Sequence, residues 1–328
     1  MRALHVLPPG GTSWGGGIPA YLSSLAESPK LQWVTFRQVP LEIATETLRS
    51  WRADIVIWHP ACSWASLADQ FRLIGIPSIL VEHHYCQGFE KYQVPNRLRF
   101  RTMLRLGYSL FNRVVSVSSG QARWMTDAKL LTTSRLRVIP VSRTLDEFLA
   151  LPISRSPHRP LRLGAYGRFV QQKGFDTLIK AVQLLPPGSV QLTLGGDGLL
   201  DSELRSLAAG NADITFRGPI TDVPAFLHGC DAIAIPSLWE PWGNVCLEAR
   251  AAGLPVIVSK VGGVSEQVEG CGFGVLPASV TELATAIQKL IALSADERYR
   301  LAHNARASSL NSWDQACRSW DSLLRELA

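Results

Sequence analysis

The chain has 328 residues, 46% hydrophobic and 18% charged, which is enough apolar content for sizeable cores and too much for a disordered tail. Residues 1–158 carry 18 basic and 10 acidic side chains, a balance of +8, whereas residues 159–328 carry 15 and 17, a balance of −2. A basic half joined to a near-neutral half points to an anionic partner for the first half, and no run of 18 uninterrupted apolar residues is present to span a bilayer.

Strand-like apolar runs at 3–7, 34–38, 55–58, 78–81, 114–117 and 137–139 alternate with helical patterns near 18–27, 42–52, 64–74, 95–110 and 119–129. The stretch LPISRSPHRP at 151–160, with three prolines, breaks the alternation as a linker would. Strands then resume at 162–166, 191–194, 214–216, 232–235, 255–258 and 274–276. Helices are expected near 174–185, 200–208, 222–228, 244–252, 279–293, 295–308 and 312–327. Continuous apolar strands alternating with amphipathic helices predict an α/β protein of two Rossmann-like, doubly wound parallel-sheet domains facing across a cleft. The expected division is 1–150, a linker at 151–160, a second domain at 161–310, and a C-terminal helix at 311–328 that could pack back on the first domain.

The start of the chain runs directly into RALHVL without a basic region and long apolar stretch, so a signal peptide is not expected. The cysteines, Cys62, Cys86, Cys230, Cys246, Cys271 and Cys317, are scattered without C-x2-C spacing. Six reduced, mostly buried thiols are expected rather than a zinc site or a disulfide framework. Together these features point to the cytoplasm.

Four loops carry residues suited to binding an anion or a sugar. Gly15, Gly16 and Gly17 follow the first strand and open a helix, giving close backbone access and free N–H groups; a tight strand-to-helix turn has the same composition. Arg168 and Lys173 lie five apart before a helix and can converge on a pyrophosphate, Arg as a planar fork and Lys as a point charge. The run GGDG places Gly196 and Gly198 around Asp197 after a strand, a pattern also found in ordinary turns. In PSLWEPWGNVCLEARAAGLPV, Glu240 and Glu248 are eight residues apart, and Pro241, Trp242 and Gly243 turn into a helix beginning near Asn244. One carboxylate at the turn and one along the helix could bond sugar hydroxyls, and the helix start favours a developing anion.

This last block resembles the E-x7-E region of the retaining glycosyltransferases of family 4, which have the two-Rossmann GT-B fold. Further matches follow in order: GR-x-x-x-x-KG from Gly167, GGDG from Gly195, and GG-x-x-E at Gly262, Gly263 and Glu266. The resemblance implies that Arg168 and Lys173 hold the donor's diphosphate, that Glu248 binds the nucleotide ribose, and that Glu240 lies beside the donor sugar. It implies that backbone amides of Trp242, Gly243, Asn244 and Val245 meet sugar hydroxyls and phosphate. In VEHHYCQGF, His83 or His84 resembles the histidine that the family places near the donor sugar. His59 in IVIWHP is a weaker candidate, because core histidines at strand ends are common. Where many relatives have P-N-G-V-D before the linker, this chain reads PVSRTLD, which bears on donor identity and acceptor geometry.

The implied activity is retaining transfer of a hexosyl unit from a UDP- or GDP-linked sugar to an acceptor hydroxyl, in polysaccharide, lipopolysaccharide or glycolipid assembly. No metal and no cofactor are expected, because cations and amides can carry the diphosphate. A sugar-nucleotide epimerase of related fold and a catalytically silent nucleotide-sugar-binding subunit are the rival readings. Residues 95–113 form a basic helical stretch in which Arg97, Arg101 and Arg105 recur every four residues beside Arg99. Phe100, Met103, Leu104, Leu110 and Phe111 are expected to face inward. Such a helix suits an anionic membrane surface, and so a peripheral location on the inner face, better than nucleic acid, for which no motif is present.

Overall fold

The computed structural model describes residues 1–9, 17–72, 75–153 and 159–328. Gly15, Gly16 and half of the expected linker (154–158) lie outside the described residues. The chain divides into two compact units, one formed by 1–144 with 312–328 and the other by 145–311.

The first unit runs β1 (Arg2–Leu7), α1 (Gly17–Glu27), β2 (Thr35–Pro40), α2 (Leu41–Trp51), β3 (Ile55–Trp58), α3 (Leu67–Phe71), β4 (Ser78–Glu82), α4 (Gln87–Gln93), α5 (Arg97–Ser109), β5 (Arg113–Ser116), α6 (Ser119–Asp127) and β6 (Leu136–Val138). Its strands are parallel in the order β2-β1-β3-β4-β5-β6. The sequences IVIW and SILVE are apolar almost throughout because both faces of these central strands are buried. Leu4, Val56, Trp58, Leu80 and Val114 meet Leu104 and Tyr108 of α5, and Phe111 just beyond it, in one core.

The second unit runs α7 (Asp146–Leu149), β7 (Leu161–Tyr166), α8 (Phe175–Gln183), β8 (Val190–Gly195), α9 (Asp201–Ala208), β9 (Ile214–Gly218), α10 (Val223–His228), β10 (Ala232–Ile235), α11 (Asn244–Ala251), β11 (Val256–Ser259), β12 (Gly272–Val275), α12 (Val280–Ala292) and α13 (Ala295–Ser309). Its parallel order is β12-β11-β10-β7-β8-β9. Helix starts are fixed locally where the sequence supplies a cap. Ser279 accepts from the Glu282 amide, and Ser294 with Glu297 forms a reciprocal capping box.

The twelve expected strands all form, with ends within two residues of the sequence reading. The boundary between units falls at Thr144/Leu145 rather than after residue 150, because Leu145 and Phe148 are buried in the core of the second unit. The last helix, α14 (Ser312–Leu327), belongs to the first unit. There Trp33 Nε1 donates to Asp321 Oδ1 at 2.7 Å, Lys30 pairs with Asp314 at 3.0 Å, and Arg137 pairs with Glu326 at 2.7 Å. All six cysteines are free and buried.

The basic helix α5 corrects the sequence reading in part. Met103, Leu104 and Phe111 are buried and Phe100 and Leu110 pack partly against them, as expected. Two of the four arginines are committed elsewhere. Arg101 forks onto Glu90, with Nε to Oε1 at 2.5 Å and Nη2 to Oε2 at 2.9 Å, because Glu90 of α4 is buried and needs a counter-charge. Arg105 donates to the carbonyls of Ala128 and Lys129 beyond the end of α6. Arg97 and Arg99 stay exposed, and beside them Leu98 is 74% and Leu106 47% exposed.

Candidate active site

In the second unit the strand order reverses between β7 and β10, so the loops leaving these strands open side by side at the carboxyl edge of the sheet. Two hydrogen bonds staple the loops together. The Leu238 amide donates to the Gln172 carbonyl at 2.8 Å, and Gln172 Nε2 donates to the Trp239 carbonyl at 3.0 Å. Gly174, with φ of 64°, closes the first loop where a Cβ would lie 2.2 Å from the Pro236 oxygen, so no larger residue fits.

Across this staple Lys173 Nζ reaches Glu240 Oε2 at 2.5 Å, with Ser237 Oγ 3.4 Å from the same oxygen. The two side chains are only 18% and 11% exposed, so their attraction is weakly screened. Arg168, the other expected diphosphate ligand, is exposed on the same loop, and its side chain has no ion pair among the described residues. Gly196, from the loop after β8, has φ of 138° and packs so tightly that a Cβ would lie 1.9 Å from the Gly167 oxygen. Gly198 lies in turn against the backbone of Phe169, whose amide donates to Asp197 O at 2.5 Å. The loop bearing Arg168 therefore rests directly on the glycine-rich turn.

Helix α11 begins at Asn244, as the sequence predicts, behind Gly243. Gly243 offers no side chain to cap it, so the first-turn amides of Asn244 and Val245 are available to an anion. Trp242 and Gly243 are held by Gln267, whose Nε2 donates to the Trp242 carbonyl at 2.8 Å. Gln267 Oε1 in turn accepts from Arg250 Nη1 at 3.0 Å. Glu248, on the buried face of α11, accepts a 2.6 Å bond from the Tyr166 hydroxyl at the end of β7. Burial first, and then the charge of Glu248, push the Tyr166 hydroxyl well above its usual pKa, so it remains a proton donor. Arg168, Lys173, Glu240, Glu248 and the start of α11 thus all lie on the β7 and β10 connections.

In the first unit the strand order reverses between β1 and β3. His5 of β1, His59 after β3 and His83 after β4 form a chain of rings. His5 Nδ1 lies 2.8 Å from His59 Nε2, and His59 Nδ1 lies 3.0 Å from His83 Nε2. His5 and His59 are fully buried, whereas His83 and His84 keep part of their surface exposed. Burial lowers the pKa of His5 and of His83 to about 3, the charge of His84 adding to the effect on His83. Burial also holds His59 well below its usual value. The turn at 83–85 is clamped from beneath by Glu82. Its Oε1 accepts from the amides of His84 at 2.7 Å and Tyr85 at 2.9 Å, and its Oε2 accepts from the Tyr108 hydroxyl at 2.8 Å.

Sequence reasoning missed Tyr166, Gln172, Arg250, Gln267, Glu82 and His5. Tyr166 and Gln172 act on partners 82 and 67 residues away, Arg250 and Gln267 on each other 17 residues apart, and His5 and Glu82 belong to strands that read as core. The one available signal was polarity inside apolar runs, as for His5 in RALHVL and Glu82 closing SILVE.

Two doubly wound units with these loop-borne groups define the GT-B class of glycosyltransferases. The same fold extends over 99% of both chains in the Anabaena protein HepE, whose structure with UDP and glucose aligns with a TM-score of 0.80 at 20% identity. Residues 17–142 match the family described as Glycosyltransferase Family 4, and residues 160–292 match Glycosyl transferases group 1. Among curated proteins, glycogen synthase of Mycobacterium tuberculosis is 30% identical over 81% of this chain and 67% of its own length. The GDP-mannose-dependent alpha-(1-6)-phosphatidylinositol monomannoside mannosyltransferase of the same species is 30% identical over 83% and 74%. The chain belongs to glycosyltransferase family 4.

Proposed function

We propose that the protein transfers a hexosyl unit from a UDP- or GDP-linked sugar to an acceptor hydroxyl, with retention at the anomeric carbon. The pathway we infer is polysaccharide, lipopolysaccharide or glycolipid assembly. The observation that carries this reading is the Lys173–Glu240 bond between the β7 and β10 connections, which also bear Arg168 and the uncapped start of α11. The bond to be broken joins the anomeric carbon to a diphosphate oxygen. Its cleavage leaves an oxocarbenium-like sugar and a diphosphate whose charge needs fixed positive partners. Lys173, Arg168 and the amides of Asn244 and Val245 supply them without reorganising, and this role needs no metal ion.

Glu240 holds Lys173 and lies beside the sugar, while Glu248 takes the ribose hydroxyls, its geometry set by Tyr166. His83 or His84 meets the transferred sugar. In front-face attack the acceptor oxygen bonds to the anomeric carbon on the side the diphosphate leaves, and the acceptor proton passes to a departing phosphate oxygen. The likeness to a glycogen synthase and to a phosphatidylinositol monomannoside mannosyltransferase supports glycan or lipid-linked acceptors. The exposed Arg97 and Arg99, flanked by exposed Leu98 and Leu106, support docking of the first unit on an anionic membrane surface. No helix among the described residues is long and apolar enough to cross a membrane.

Thermal unfolding in the presence of a panel of nucleotides and nucleotide sugars tests the reading. A ligand held by the native state at 100 times its Kd adds about 2.7 kcal/mol of stability. UDP or GDP and one matching sugar nucleotide should raise the Tm of the wild type and leave that of Lys173→Ala nearly unchanged. No stabilisation by any of them would oppose it.

A further inference from the structure

His5 and His59 lie behind His83, and nothing in the proposed transfer uses them. A neutral imidazole has one N–H donor and one bare acceptor nitrogen, so three neutral rings joined by two N···N bonds must all point the same way. Only two arrangements exist. In one, every Nδ1 carries the proton: His5 donates to His59, His59 donates to His83, and His83 presents an Nδ1–H. In the other, every Nε2 carries it: His83 donates inward, and His5 must bury an Nε2–H.

The far end of the chain separates the two. His5 Nε2 is buried and has no hydrogen-bond partner among the described residues, with the Phe36 ring 5.3 Å away, centroid to centroid. An orphaned buried N–H is the rarer and more costly condition in folded proteins, so a bare nitrogen is the better occupant of that end. The rings stack with centroids 5.1 and 5.3 Å apart and interplanar angles of 24°, which leaves the N–H directions little freedom. The depressed pKa values keep His5 and His83 neutral at working pH, so no imidazolium relaxes the constraint.

We propose that His5 and His59 are positioning residues that fix His83 as a neutral Nδ1–H tautomer, so that His83 offers a hydrogen-bond donor to a sugar hydroxyl or ring oxygen. The tautomer relay stands on the ring geometry; the sugar as its recipient rests on the proposed function. Glu82 holds the backbone of the same turn, so His83 is set in place by its backbone and in protonation by its ring partners.

Ring nitrogen resonances of protein labelled with 15N-histidine test the relay on the free protein, independently of any sugar. The seven histidines are assigned by single substitutions. The wild type should show His83 with a proton on Nδ1 alone. His5→Leu removes the anchoring donor and should give His83 a mixture of both tautomers, while His5→Asn, whose side-chain amide donates from the Nδ1 position, should restore the single form. An Nε2–H His83 in the wild type overturns the relay without any variant, and so does an unchanged His83 in folded His5→Leu. Addition of the nucleotide sugar that stabilises the wild type should move the His83 signals. If they stay fixed while the tautomer pattern holds, the sugar role of His83 falls and the relay stands. Turnover of that donor should fall about tenfold in His5→Leu, one hydrogen bond's worth, and recover in His5→Asn.

Discussion

Lys173 Nζ and Glu240 Oε2 lie 2.5 Å apart and join the two loops that diverge at the reversal of the second sheet. The pair has two consequences. Glu240 aims the ammonium group in the absence of substrate, and the low exposure of both groups keeps the local field strong. Lys173→Ala removes a fixed positive charge from the leaving diphosphate and leaves Glu240 unpaired. Donor turnover, measured as kcat/KM for nucleotide-sugar consumption, should fall by about 10²–10³. Glu240→Gln should cost less in donor binding, because Lys173 then remains free to meet phosphate.

Tyr166→Phe deletes the bond to Glu248 and little else, since the ring remains in its apolar setting against Phe226. A hydrogen bond to a charged group is worth about 1.5–3 kcal/mol. The donor KM should therefore rise by roughly tenfold or more with kcat less affected, as steady-state kinetics over donor concentration would show. An unchanged KM would mean that Glu248 is not oriented by Tyr166.

Gly174→Ala forces a Cβ against the Pro236 carbonyl at a positive φ. Strain of this kind costs of order 1–3 kcal/mol, and here it also parts the stapled loops. Urea unfolding should show lost stability, and nucleotide binding should weaken beyond what the stability loss explains. Gly210→Ala provides the comparison, because its φ of 79° is equally strained while no atom lies within 4 Å of the added Cβ.

Acid should weaken the first unit through its histidines. His5 and His83 are held down to about 3 by burial, whereas in the unfolded chain they return to about 6.5. Between these values the unfolded chain binds protons that the folded chain refuses. The stability tied to their neutral forms is therefore complete above pH 6.5 and is lost as pH falls toward 3, by about 1.4 kcal/mol per pH unit for each histidine. Denaturant unfolding of wild type and His5→Leu across this range should show a shallower pH dependence in the variant. Parallel curves would contradict the burial argument.

Arg97 and Arg99, the exposed arginines of α5 whose side chains make no hydrogen bond or ion pair among the described residues, carry the membrane prediction. Each basic residue near an anionic surface contributes about 1 kcal/mol. Replacing Arg97 and Arg99 with Ser should weaken binding to phosphatidylglycerol vesicles by about 10–30-fold, and added salt should weaken wild-type binding in the same direction. Arg101→Ser should act instead on stability, because Arg101 is the counter-charge of buried Glu90. Salt-independent or absent vesicle binding would remove the membrane surface from the account.

The strands were legible because parallel strands buried on both faces must be apolar along their whole length, as IVIW and AIAI are. The placement of Lys173 before a helix, of Glu240 in a turn and of Glu248 along the next helix was legible because Gly174 and the Pro241-Trp242-Gly243 turn mark where each helix begins. The helix at Gln87–Gln93 was not legible: it is seven residues long, and its buried Glu90 is explained only by Arg101 and Trp124. The histidine chain was hidden because its links span 54 and 24 residues and depend on strand order. The lopsided charge pointed to an anionic partner, yet part of that excess is consumed internally, by Glu90 for Arg101 and by Glu326 for Arg113 and Arg137.

Release of nucleoside diphosphate from a nucleotide sugar, followed together with the anomeric configuration of the glycoside formed, tests the central claim most directly. The wild type should release UDP or GDP in step with transfer of the hexosyl unit and retain the anomeric configuration, and Lys173→Ala should do so at least about 100-fold more slowly. Free diphosphate without a transferred sugar, an inverted product, or a Lys173→Ala rate equal to wild type would contradict it.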